Sequence, residues 1–309
     1  MASTAPSDEA PTTSTVPAVP PQAVALFNLA CVAPRYRDSI VDECKAIAEL
    51  HGEGASERLR DEFVPANRPA VLRSVLHDWR PVERWQDDEY LRAAGADATV
   101  SVRRVETSGG WTAAGGGEYT TEEMSWSALV DSHAESAASG CAAPHYAAQI
   151  RLRTALPRLF ADVHPVPPCV GALGSVWRNA PSAYFGCGHA SPLHFDQLEN
   201  VLCVVRGRKH VTLWHPGDAG LLYPGEGGHA AFSTANVHAP DAADGFPLLK
   251  AAAARGLHVE LAAGDALYIP ICWWHAVSTP IGERSISVSY WCQQPFGKAQ
   301  EPEDEEWEE

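Results

Sequence analysis

The sequence predicts a mainly β fold with flanking helices, built on an antiparallel sandwich or small barrel. Three observations carry that expectation. From about Tyr146 onward, short apolar or alternating runs follow one another closely. Turn formers separate them, among them Gly207, Gly217, Gly264-Asp265 and Pro280-Ile281-Gly282. Helical periodicity is confined to the first half of the chain, and no internal repeat of fixed long period is present.

Residues 1–22 are Ala, Ser, Thr and Pro with little else, a composition that cannot bury a core, so a disordered leader is expected. Arg35–Leu50 reads as a helix, with Ile40, Val41, Cys44, Ile47 and Ala48 on one stripe and His51-Gly52 as its stop. Pro69–Val75 reads as a first strand, Asp87–Ala94 as a short helix closed by Gly95, and Thr99–Val105 as a second strand. Glu106–Glu118 is glycine-rich but lacks the Lys-Ser/Thr of a phosphate loop, and is expected to be a surface loop. Met124–Ser132 reads as a helix. The strand candidates that follow are Val170–Trp177, Val201–Val205, Lys209–Trp214, Leu257–Leu261, Ala266–Pro270 and Ser285–Trp291.

The formal charge of −16 is unevenly spread, with seven carboxylates in the last nine residues. Residues 295–309 are therefore expected to be a solvated, disordered acidic tail. An acidic body disfavours broad nonspecific binding to nucleic acid. The eight cysteines contain no C-x-x-C pair and several lie in apolar runs, so they read as small buried hydrophobes of a reducing compartment. No segment is apolar for long enough to span a membrane, and no basic stretch precedes an apolar one at the N-terminus. The expected location is cytoplasmic or nuclear.

The strongest local motif is Ser191-Pro-Leu-His-Phe-Asp196. In a strand, His194 and Asp196 point to one face because side chains alternate with period two. One imidazole and one carboxylate supply two ligands of a metal site. His275, at the end of Gly264-Asp-Ala-Leu-Tyr-Ile-Pro-Ile-Cys-Trp-Trp-His275, is the candidate third. Two histidines and one carboxylate on one side of a metal form the facial triad of non-haem iron(II) oxygenases. His189, His210 and His215 lack this register and are expected to be loop or surface residues.

Lys209 shares a strand face with Val211 and Leu213. A lysine on a buried face needs an anionic partner, and the neighbouring sequence offers no carboxylate for it. A dicarboxylate cosubstrate would serve. The alternative is an edge lysine whose stem lies on apolar surface while its ammonium reaches solvent.

Together these motifs resemble the cupin-like branch of the JmjC oxygenases. The run from His194 to Lys209 is similar to the metal and cosubstrate strands of that branch, and the run from Gly264 to His275 to its distal-histidine strand. Arg68-Pro-Ala-Val-Leu72 through Trp85 resembles its upstream region more loosely. The resemblance implies a double-stranded β-helix (jelly-roll or cupin) barrel behind a mixed N-terminal helical region. The oxygenase domain would span 23–294 and the barrel core about 143–293. It implies iron(II), 2-oxoglutarate and O2 as cofactor and cosubstrates. His194, Asp196 and His275 would hold the metal, and Lys209 would pair with the far carboxylate of 2-oxoglutarate. Ser191 and Asn200 match a hydroxyl and an amide near that cosubstrate, and Tyr146 a tyrosine that reaches it. Ser289 stands where many relatives have Asn.

The expected reaction is hydroxylation of a macromolecular substrate, first of all a protein side chain. The second reading is a tRNA base, for which Arg151, Arg153, Arg158, Arg206 and Arg208 would form the phosphate patch. Histone demethylation is a weaker third reading, because no reader domain or zinc cluster accompanies the barrel. A metal-binding cupin that does not use oxygen is the reading from another class. Cys292–Glu309 is too short and too acidic for the C-terminal helix pair through which several relatives dimerise, so a dimer of that kind is not expected.

Overall fold

The computed structural model describes residues 46–105, 119–174, 181–239 and 241–292. The expected leader, the acidic tail, the glycine-rich Glu106–Glu118 and most of the expected helix Arg35–Leu50 lie outside these residues.

Thirteen strands form two sheets among the described residues. The larger has the order β1-β2-β11-β8-β13-β6-β5-β3-β4, and the smaller β10-β9-β12-β7. In chain order the strands of the large sheet are β1 (Ala48–His51), β2 (Ala70–Arg73), β3 (Thr99–Val105), β4 (Tyr119–Ser125), β5 (His145–Arg151), β6 (Ser182–Cys187), β8 (Glu199–Arg206), β11 (Ala266–Ile269) and β13 (Arg284–Cys292). Those of the small sheet are β7 (His194–Phe195), β9 (Arg208–Trp214), β10 (Leu257–Ala262) and β12 (Trp274–Ser278). Two facing sheets with flanking helices are the jelly-roll arrangement that the sequence predicts.

Residue alternation fixes the layers. In β8, Leu202 and Val204 join Val211, Leu213, Leu261, Leu267, Ile269 and Trp273 in the core between the sheets. Val201, Cys203 and Val205 point the other way, into a core shared with the helices. A strand buried on both faces reads as a continuous apolar run, which is why β8 was legible. The helical layer includes α1 (Asp88–Ala94) and α2 (Trp126–Ala138), which contribute Leu91, Trp126, Leu129 and Val130 to that core. A third cluster, with Trp214, Leu222, Leu249 and Trp274, covers the outer face of the small sheet. At the β8–β9 turn Gly207 adopts φ 67, and a Cβ there would collide with the Arg284 carbonyl.

Three expectations need correction. The end of the expected helix Arg35–Leu50 is strand β1, paired in parallel with β2 so that Leu50 lies opposite Leu72. Leu50 is buried there and Glu49 pairs with Arg73, so tertiary pairing overrides the local helical period. Val170–Trp177 is not a strand over its described part. Pro168–Gly171 is a helical turn opened by Pro167-Pro168, and Gly174 leaves it at φ 88. The helix expected at Met124–Ser132 begins at Trp126, where Ser125 Oγ accepts from the Ala128 N–H as its cap, and continues to Ala138. Met124 belongs to β4, a polar strand that the sequence did not signal.

Candidate metal and cosubstrate site

His194 and His275 face each other across the β7–β12 pairing, which aligns them directly in register. Their ring centroids lie 4.3 Å apart. Asp196 follows β7 by one residue, and its backbone carbonyl accepts from the Cys272 N–H at 2.9 Å, which ties the ligand loop to the start of β12. One ligand atom from each of the three residues lies within 4.8 Å of the others, and this is the one such grouping among the described residues.

Each imidazole has a fixed tautomer. His194 Nδ1 lies 2.8 Å from the Pro192 carbonyl and His275 Nδ1 lies 2.9 Å from the Trp273 carbonyl. A carbonyl only accepts, so each Nδ1 carries the proton and each Nε2 keeps its lone pair for a metal. Burial, and then the nearby His194, lower the His275 pKa to about 4, so its ring is neutral near pH 7. The donor set of two imidazoles and one carboxylate suits iron(II).

These residues open on a cavity of about 230 Å³ between the sheets. Tyr146, Ser191, Asn200 and Lys209 also line it. Lys209 is 3% exposed, and burial alone pulls its pKa down to about 8. Among the described residues no carboxylate lies within ion-pair range of its ammonium. The Asn200 amide oxygen and the Ser287 hydroxyl are likewise buried without a hydrogen-bond partner among the described residues, and both residues line the cavity. Ser191 Oγ accepts from the Val277 N–H at 3.0 Å, clasping the segment before His194 to β12. Tyr146 stacks on His189 at 4.8 Å, and burial raises its phenol to about 12. An ammonium, an amide and hydroxyls left over around a cavity fit a small dicarboxylate.

Several lining residues escaped the sequence reading. Trp291 Nε1 donates to Asp196 Oδ2 at 3.0 Å. Its signal was available, because period two from Ser287 and Ser289 places Trp291 on the same face of β13. Phe232 stacks on His194 at 5.6 Å and is 39% exposed, at the cavity mouth. Gln149 reaches the cavity through a β-bulge. Ala148 and Gln149 both fall between the Ala147–Phe185 and Ile150–Ala183 pairs, and Gln149 takes φ 58. The bulge re-aims a side chain that plain alternation would send elsewhere.

His189 is a loop residue outside the triad, but a buried one, accepting from the Cys187 N–H at 3.0 Å. His210 is exposed beside Glu260 at 3.0 Å, and His215 caps a turn by accepting from the Gly217 N–H. The five arginines of the expected basic patch are not equivalent. Arg206 pairs with Asp88 at 2.7 Å and Arg208 with Glu283 at 2.7 Å. Arg151, Arg153 and Arg158 are exposed.

Residues 56–298 match the cupin-like domain family. The chain is 29% identical over 255 residues to "Lysine-specific demethylase 8" of Xenopus tropicalis, covering 82% of this chain and 54% of that protein. It is 28% identical over 255 residues to the human "Bifunctional peptidase and (3S)-lysyl hydroxylase JMJD7", covering 74% of this chain and 78% of that protein. A shorter likeness, 38% over 84 residues, links it to "tRNA wybutosine-synthesizing protein 5" of Mus musculus, covering 27% and 25%. The chain spans about half the length of the demethylase-named relatives it matches. Among the described residues no helix is long and apolar enough to cross a membrane. With the family match running across both sheets and through all three residues of the His-Asp-His grouping, the chain belongs to the cupin-like JmjC family of iron(II)- and 2-oxoglutarate-dependent oxygenases.

Proposed function

We propose that the chain is a 2-oxoglutarate-dependent hydroxylase of a protein side chain. The observation that carries this reading is the buried Lys209 ammonium, which faces the same cavity as His194, Asp196 and His275 and has no ion-paired carboxylate among the described residues. His194, Asp196 and His275 would hold iron(II). Lys209 would receive the far carboxylate of 2-oxoglutarate, with Asn200 and Ser287 offering further hydrogen bonds and Tyr146 closing the wall. When bound, iron(II) and 2-oxoglutarate supply an O2-dependent oxidation able to place oxygen in an unactivated C–H bond, with succinate and CO2 as co-products. The chain's own residues orient and exclude. The backbone carbonyls of Pro192 and Trp273 hold both imidazoles in the binding tautomer. Phe232, stacked on His194 at the mouth, limits water and leaves an apolar side for the substrate.

A protein substrate is favoured over a tRNA base by the fate of the arginines. Arg206 and Arg208, the hairpin half of the phosphate patch, are neutralised by Asp88 and Glu283. A broken patch weakens the phosphate term on which nucleic-acid affinity rests. The test is to incubate the iron-loaded chain and 2-oxoglutarate with fractionated cell protein and, separately, with total tRNA. A mass gain of one oxygen atom on a protein side chain is expected. Oxygen gained on tRNA alone would replace this reading with the base hydroxylase. Formaldehyde release from a methylated protein would make the chain a demethylase, and no succinate with any substrate would return it to the non-oxygenase cupins.

A further inference from the structure

Asp196 differs from its two partner ligands in how it is held. The histidines are fixed by carbonyls at Pro192 and Trp273, each two residues away along its own chain segment. The side chain of Asp196 has its hydrogen bond from the opposite sheet, where Trp291 of β13 donates its indole N–H to Oδ2 at 3.0 Å. Three features make this bond deliberate in physical terms. Trp291 follows Ser287 and Ser289 on the cavity face of β13, so two small side chains give way to one long enough to cross the gap. Trp291 is 8% exposed, so its N–H would be poorly hydrated if it did not reach the carboxylate. The ring is braced by Tyr184 of β6 at 6.5 Å and 58°, while the Trp291 backbone is paired with Asn200 of β8.

We propose that Trp291 is a positioning residue for the metal centre: its N–H fixes the plane of the Asp196 carboxylate and so links metal affinity to the large sheet. A carboxylate without this donor rotates freely about its last bond and must be ordered when the metal binds. Partners of this kind around metal ligands are worth about 10- to 100-fold in affinity. The inference rests on the triad reading of the site. It goes beyond that reading in assigning a function to a residue outside the His194-Asp196-His275 grouping.

The probe is Mn²⁺, titrated into the full chain without 2-oxoglutarate and followed by the loss of free-ion electron paramagnetic resonance signal. Trp291→Phe keeps an aromatic ring and loses the donor. Trp79→Phe is the packing control, since Trp79 is equally buried, lies in the helical-side core and has no hydrogen bond to a ligand residue. Trp291→Phe should weaken Mn²⁺ binding about 10- to 100-fold. Trp79→Phe should leave it within about threefold of wild type, while lowering the apoprotein melting temperature at least as much. Equal Mn²⁺ affinity in Trp291→Phe and wild type overturns the proposal. Asp196→Ala separates the two readings: if it binds Mn²⁺ like wild type, the triad itself is wrong. If instead Asp196→Ala is impaired and Trp291→Phe is not, only the present inference falls. Should Trp291→Phe fail to fold, the wild-type protein provides the second readout. Titration with diamagnetic Zn²⁺ should displace one indole N–H resonance far more than the others, and uniform indole shifts would again overturn the proposal.

Discussion

Lys209 shows how a single residue can be read twice, once by pattern and once by environment. Its alternation with Val211 and Leu213 pointed it inward, and it is buried with its pKa lowered to about 8 by desolvation. It therefore remains mostly protonated at neutral pH, a buried cation awaiting an anion. Losing one member of a buried charged pair costs about 3–5 kcal/mol, part of which Lys209→Met recovers by removing the ammonium as well. A net loss of about 2–3 kcal/mol lowers 2-oxoglutarate affinity on the order of 30- to 150-fold. Mn²⁺ affinity without cosubstrate should stay near wild type. The pH dependence follows the same group. The charged form binds the carboxylate, so wild-type affinity should hold below about pH 8 and fall above it, whereas the Lys209→Met profile should be flat. Anaerobic titration of 2-oxoglutarate into the Mn²⁺-loaded proteins at several pH values measures both, and equal affinities would remove Lys209 from the cosubstrate site.

At the scale of elements, helix α1 is fastened to the sheet by one carboxylate. Asp88, in its first turn, accepts from Arg206 at the end of β8 and from Arg284 at the start of β13. Burial pushes the Asp88 carboxyl up, but the two guanidinium groups outweigh it and hold the pKa down at about 2. Asp88→Asn leaves two partly buried arginines without their anion and should cost about 2 kcal/mol, after allowance for partial exposure. That corresponds to a melting-temperature loss of about 5 °C. The depressed pKa means the contribution is present above about pH 4 and lost as pH falls through about 2. The gap between wild type and Asp88→Asn in calorimetry should therefore begin to narrow below about pH 4, over the range in which both proteins stay folded, and a gap that does not narrow there would refute the clasp. This clasp was invisible in the sequence, where Arg206 read as a phosphate contact, because its partner lies far back in the chain. The same limit explains the other misses. β1 carries a helical stripe, and only its pairing with β2 makes it a strand. β4, Tyr-Thr-Thr-Glu-Glu-Met-Ser, has no apolar alternation and is held by its register with β3. The bulge at Gln149 has no local cue, since glutamine does not favour positive φ. Strand β3 was legible to the residue, and so was the grouping of His194, Asp196 and His275, because period two and the apolar runs around it act locally.

On the scale of the whole molecule, the sandwich buries two histidines outside the candidate metal site. His133 of α2 bonds the His145 carbonyl through Nε2 at 2.7 Å, and His189 lies 6.3 Å from it, stacked on Tyr146. Burial is the main cause that lowers His133 to about 4. Burial, then the proximity of His133 and Lys209, lowers His189 to about 3. In the unfolded chain both would titrate near 6.5. Above that pH both states hold neutral rings, and these groups give no pH dependence. Below it the unfolded chain takes up protons that the native chain refuses, at His133, at His189 and, without metal, at His275, so stability falls with falling pH until the folded pKa values are reached. Each fully titrating histidine contributes a slope of about 1.4 kcal/mol per pH unit, or, with His275 also kept neutral by burial in the metal-free protein, together about 4 kcal/mol per unit between about pH 6 and 4. Such a slope exhausts a typical stability of 5–15 kcal/mol within a few units. The metal-free protein, kept in chelator so that loss of metal does not contribute, should therefore show a steep drop in urea midpoint from pH 6.5 to 4.5. His133→Gln should lower that slope by about 1.4 kcal/mol per pH unit, because one refused proton is gone, even if the variant is less stable at pH 7. A slope unchanged in His133→Gln would place the acid sensitivity elsewhere in the fold.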